Sequence, residues 1–317
     1  MRQAGTSLER ASELRDGDQL LQAVAPALAA ARGFLLCGRT IRSARALRVA
    51  GLALVLADRP ADAAQRLRAA RQSLADAGAG SVTLAGIDVT LAEALRSLGH
   101  VATAQERLQS ARAAYAAAGH DELLPTIDHD LAIFTAELGD AEDAVEGLVA
   151  ARQAFLDQRD REGVAACSHN IGLLLHDLGH LDDAVEYFQE ARSIFLAVGR
   201  DAEAAACDQN VGVVLHDMGR PEEAARRLLD ARNRYARNGA LRSAGECEHN
   251  LSVVLTVLGR ADEAAACLAK AEAAGVRAPA DTGAHPVIPL GAEAVEPQPE
   301  RTDADSPDDH YRGAASA

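Results

Sequence analysis

NIGLLLHDLGHLDDAVEYFQEA, residues 170–191, decides how the rest of the chain is read. Together with Cys167 just before it, Ile171, Leu174 and Leu178 form an apolar stripe at i, i+4, i+7 and i+11, the face of a helix packed against neighbours. Gly179 then stands where a helix C-terminus takes a left-handed residue, and a second apolar pattern starts within a few residues. The spacing predicts a helix over roughly 162–178, a short turn, and a second helix over roughly 182–197.

The unit is copied along the chain. Gly99, Gly139, Gly179, Gly219 and Gly259 fall 40 residues apart. Behind them run Ala104, Ala144, Ala184, Ala224 and Ala264, then the bulky residues Leu108, Leu148, Phe188, Leu228 and Leu268, then Ala111, Ala151, Ala191, Ala231 and Ala271. An earlier copy with a one-residue slip (Gly51, Ala63, Leu67, Ala70) makes six. Pro60 and Pro221 open second helices, where a missing N–H costs little. Residues 1–38 read as a degenerate helical segment in which Pro26 should kink or restart the helix. Residues 39–276 hold the repeats, and 277–317, rich in Pro, Ala and acid, read as a disordered tail.

This pattern resembles the tetratricopeptide repeat. The apolar–Gly pair Ile171–Gly172, the turn Gly179, and then Ala184, Phe188 and Ala191 carry the resemblance, which spans about three quarters of the chain. The period is longer than the family's usual 34 residues and matches the subtype of kinesin light chain and of certain bacterial regulators. The resemblance implies an all-α fold, a right-handed α-solenoid of antiparallel helix pairs, working as a binding scaffold. With no peptidase domain read after the repeats and no helix-turn-helix before them, the expectation is a stand-alone, non-enzymatic module without a cofactor.

Composition narrows the partners. A formal net charge of −15 argues against nucleic acid, which needs a basic face. No signal-type apolar core opens the chain and no segment approaches the length of a membrane span. Five cysteines without framework spacing fit a reducing cytoplasm. A single lysine, Lys270, beside abundant arginine fits a GC-rich, bacterial genome.

The stretch CSHNIGLLLHDLGH, residues 167–180, invites a metal or nucleophile reading. Helix geometry opposes it: at about 100° per residue Cys167 and His169 lie about 200° apart, and His169 and His176 are separated by about 10.5 Å along the axis. One zinc, about 2 Å from each ligand nitrogen, cannot be shared by that pair. A metal shared between repeats by His176 and His216 is the arrangement left open, and it is not favoured. Cys167, Cys207 and Cys247 are one repeated position and read as small buried thiols. Tyr115, Phe155, Phe195 and Tyr235 are another, and read as core.

The polar residues facing away from the cysteines are the candidate site, because in the family this face of the first helix lines a concave groove. One position holds Asp130, Asn170, Asn210 and Asn250; its neighbour holds His129, His169, Gln209 and His249. The pair His176–Asp177 recurs as His216–Asp217. Asparagine offers one acceptor and two donors and can hold an extended peptide backbone without reading its sequence. The competing reading is that these asparagines bond neighbouring helices. Arg45, Arg48 and Arg96 mark the N-terminal end of the groove as basic. The carboxylate clamp of chaperone-binding relatives is not matched, since Leu173 stands where it needs an Asn.

Two functions follow as expectations: a scaffold that binds an extended peptide segment of a partner, or a signal-sensing regulator whose groove closes on a small peptide or metabolite. No capping helix is read after Val276, so Cys267 and Leu268 should be exposed, to be covered by HPVIPL (285–290) or by self-association.

Overall fold

The structure, a computed structural model, describes residues 17–276. Residues 1–16 and the tail 277–317, with the disorder expected of it, lie outside the described residues. Among the described residues are thirteen α-helices, one short 3-10 helix (Asp121–Leu123) and no strand. Helix α1 (Gly17–Leu36) precedes six pairs. They are α2 (Thr40–Leu56) with α3 (Pro60–Asp76), α4 (Ser81–Ser97) with α5 (Val101–Ala117), and α6 (Leu124–Glu137) with α7 (Ala141–Gln158). Then come α8 (Arg161–Asp177) with α9 (Leu181–Ala197), α10 (Asp201–Asp217) with α11 (Pro221–Arg237), and α12 (Leu241–Val257) with α13 (Ala261–Ala273).

Each helix packs on the one before it and the one after it, and first helices of successive pairs also touch, the arrangement of a solenoid. A first helix therefore has protein on three sides. Gly179 closes α8 at φ 82°, the left-handed region where a side chain is strained. In the first copy Asp58 takes that turn position (φ 57°), and Gly51 is instead a contact glycine: a Cβ there would lie 2.8 Å from Leu67. Gly172 faces Phe188 in the same way, at 2.9 Å, and Gly212 faces Leu228, so in these pairs the bulky side chain of the second helix fills the space the first helix leaves. Leu67, Leu108, Leu148, Phe188 and Leu228 are all fully buried, as are Tyr115, Phe155 and Phe195.

Two expectations change. Pro26 does not restart its helix: α1 runs through it as one element. The proline and Gln22, whose carbonyl it leaves unbonded, are both exposed, so water can serve that carbonyl. At the other end Leu268 is exposed, but Cys267 is buried, because α13 turns Ala264, Cys267 and Ala271 inward.

Candidate functional site

The first helices α2, α4, α6, α8, α10 and α12 carry every candidate residue, and the structure divides those residues into two sets. His129, His169 and Asn170 are exposed by 1% or less, and Asp130 and Asn210 are also buried. The His129 ring joins α6 to α8: Asn170 Nδ2 lies 2.9 Å from its Nε2, and Asp130 Oδ1 lies 3.1 Å from its Nδ1. His169 joins α8 to α10: Asn210 Nδ2 lies 3.4 Å from its Nε2 and Cys207 Sγ 3.4 Å from its Nδ1. An amide N–H must find an acceptor, so these partners assign the hydrogen to Nδ1, which donates to the carboxylate or to sulfur. The His169 ring also meets Phe188 edge-on at 5.4 Å. In the next repeat Gln209 replaces histidine and accepts from the Cys247 thiol at 3.4 Å.

Five candidates, His129, Asp130, His169, Asn170 and Asn210, therefore do not line an open groove. They form a polar spine between repeats. A helical wheel drawn for one helix gives the face opposite the cysteines to solvent, but in a stack that face meets the following first helix. The separation of cysteine from histidine likewise holds within a helix and fails between repeats, since Cys207 sits against His169. Burial pushes the thiols of Cys167, Cys207 and Cys247 far above their ordinary range. The Cys207–His169 contact is thus a hydrogen bond from a buried ring to the sulfur of a neutral thiol. All five cysteines are free, and among the described residues no group of three or more His, Cys, Asp or Glu is placed to hold a metal.

Burial raises the Asp130 carboxyl above the usual carboxylate range, opposed by the His129 hydrogen bond. A carboxyl raised in the folded state holds its proton where the unfolded chain has lost it. Its contribution is therefore greatest below the ordinary range and is lost as pH rises through the folded value. Asp130→Asn restores the residue of the later copies and keeps an acceptor for His129 Nδ1. It is expected to raise the urea midpoint at pH 7, with a gain that shrinks as pH is lowered toward 4; a lowered midpoint at pH 7 contradicts this.

The second set stays at the surface or half-buried: Arg45, Arg48, Arg96, His176, Asp177, Gln209, His216, Asp217, His249 and Asn250. Several are tied across the repeat boundary. Arg96 Nη1 donates to Glu137 at 2.7 Å and its guanidinium also pairs with Glu93, which together hold its pKa above the ordinary arginine value. His176 Nε2 lies 2.7 Å from Asp217 Oδ2. Arg48 Nε reaches Thr90 Oγ1 at 3.4 Å. The Nδ1 atoms of His216 and His249 are shielded from solvent and have no hydrogen-bond partner.

One further repeated contact escaped the sequence reading. Arg71, Arg112, Arg152, Arg192 and Arg232 each reach from a second helix to the next first helix. Their partners are Asp88 (2.7 Å), Asp128, Ser168 (3.0 Å), Asp208 (2.7 Å) and Glu248 (2.9 Å). Where Ser168 replaces the acid, Glu190 supplies the carboxylate and bonds both Arg152 and Ser168. The signal was present: all five arginines directly follow the repeated alanines Ala70, Ala111, Ala151, Ala191 and Ala231.

Residues 123–197 match the tetratricopeptide repeat family. The helix pairs over those residues are tetratricopeptide repeats, and the described pairs on either side follow the same solenoid arrangement. Among solved structures it is similar to BtubC from P. vanneervenii, at 20% identity over 73% of this chain and 97% of that one, with a TM-score of 0.58. It is similar to aspartyl phosphate phosphatase F from Bacillus subtilis, at 15% identity over 85% and 69%, with a TM-score of 0.63. It is also similar to the apo quorum sensor NprR from B. thuringiensis, at 13% identity over 85% and 86%, with a TM-score of 0.55. At these identities the likeness to each is one of fold. No curated protein matches the sequence. No helix among the described residues is long and apolar enough to cross a membrane.

Proposed function

We propose that the chain is a binding scaffold that holds an extended peptide segment of another protein along its row of first helices. The observation behind this reading is that the last turns of these helices keep polar groups within reach of solvent, at Arg96, Glu137, His176–Asp177 and His216–Asp217. Adjacent packed helices stand about 8–10 Å apart, and an extended chain advances about 3.3 Å per residue. A peptide crossing the stack would then meet one such group at about every third residue. Arg45, Arg48 and Arg96 lie toward one end and Asp177 and Asp217 toward the other, a polarity that would direct a carboxylate toward the arginines. The buried spine, which Gln209 continues through Cys247 and in which His249 and Asn250 are the last described copies, sets the spacing of the row.

The second reading is a signal-sensing regulator. It is favoured by the His176–Asp217 contact, which ties two repeats together at the surface, where a ligand competing for either partner would alter how they are held. The quorum sensor among the similar structures is in keeping with it.

Arg45→Glu combined with Asp177→Lys reverses the polarity at two positions that are not buried. The tagged full chain is expected to capture a partner from native-cell extract, and the double variant to retain at least tenfold less of it with unchanged helicity by circular dichroism. Equal retention would contradict the scaffold reading.

A further inference from the structure

The last described helix pair, unlike the others, has no further pair after it among the described residues. Leu228 of α11 packs with Leu251, Val254 and Leu255 of the following first helix, and its counterparts in the earlier pairs are equally buried. Leu268, at the same position of α13, is followed by no helix among the described residues and is 38% exposed; Val253 and Val257 of α12 are exposed by 43% and 62%. The polar contact that crosses the boundary is interrupted too. His249 stands where His169 stands, yet its Nδ1 is shielded from solvent without a partner, whereas His169 Nδ1 meets Cys207. The end of the stack is thus a socket with an apolar floor and one unmet polar atom.

We propose that residues Val287–Leu290 of the same chain occupy this socket. The chain leaves α13 beside α12, with Ala274 and Val276 against Gly245. From Val276 the eleven residues to Val287 extend to at most about 36 Å, while α12 is about 25 Å long, so the whole face is within reach. VIPL is the bulkiest apolar run in an otherwise Pro-, Ala- and acid-rich stretch. Pro286 and Pro289 oppose a further helix, so the segment docks as an extended strap. The strap covers Val253, Val257 and Leu268 with its side chains and offers His249 Nδ1 a backbone carbonyl.

The test is hydrogen exchange on the full chain, wild type against Val287→Ser, Ile288→Ser and Leu290→Ser together, with mass followed by light scattering. Exchange over the second half of α12 and over α13 is expected to rise at least tenfold in the variant while α2–α9 are unaffected and both proteins stay monomeric. Unchanged exchange overturns the proposal. Wild-type protection that disappears on dilution, together with a dimer mass, overturns it as well, by showing that a second copy fills the socket.

Discussion

Asp208→Ala is expected to lower the unfolding free energy by about 3 kcal/mol, the low end of the range for breaking a buried ion pair. The Asp208 carboxylate is fully buried under three arginines: Arg192 at 2.7 Å, Arg227 at 3.2 Å and Arg234 at 3.6 Å. It joins α9, α10 and α11, so its loss leaves three cations facing one another at the boundary between the fourth and fifth helix pairs. The arginine side chains are 23–33% exposed and can recover part of their hydration, which keeps the cost from the top of the range. The equivalent pair two repeats earlier gives the control. Arg112 and Asp128 are both largely open to water, at 43% and 32%, and Asp128→Ala is expected to cost less than about 1 kcal/mol. Urea unfolding of the two variants checks the contrast, and equal losses would contradict it. In a stack stabilised by nearest neighbours the Asp208→Ala loss should also appear first in α10–α13, as a separate early phase.

The fold was legible because the same packing problem is solved six times, and each solution repeats the same few residues. The helices expected over 162–178 and 182–197 occur at Arg161–Asp177 and Leu181–Ala197, within a residue at each end. Departures fall where a local residue breaks the repeat. Arg159 takes the left-handed turn position (φ 61°) that glycine holds at 119, 199 and 239, and Asp58 takes one in the first copy. These cost about 1–2 kcal/mol each in backbone strain and are tolerated inside a stack whose packing over-determines the turn.

The site was legible in its residues and not in its geometry. His169 lies about 200° from Cys167 on their helix, whereas Asn170, expected on that same far face, lies only about 60° from the cysteine; neither angle says what lies beyond the face. In a solenoid the answer for His169 comes from the residues 38 and 41 positions later, Cys207 and Asn210, and for Asn170 from His129, 41 positions earlier. Arg96–Glu137 and His176–Asp217 use the same 41-residue step at the ends of the first helices, where the stack opens to water. The two sets differ in depth along the helix, which a wheel projection discards.

The second large effect follows from the spine. Asn170→Ala removes the donor to His129 Nε2, and Asn210→Ala removes the donor to His169 Nε2. Each leaves a buried ring nitrogen without its hydrogen bond, at about 1–3 kcal/mol apiece, with the longer 3.4 Å contact of Asn210 at the lower end. The two asparagines serve different histidines, so their costs should be close to additive, about 3–4 kcal/mol together. Urea unfolding of the double variant, with partner capture measured on its folded state, asks most directly whether these residues hold repeats together or hold a ligand. The predicted result is a loss of about 3–4 kcal/mol with capture by the folded fraction retained. Unchanged unfolding with capture abolished would contradict it and return the asparagines to the groove.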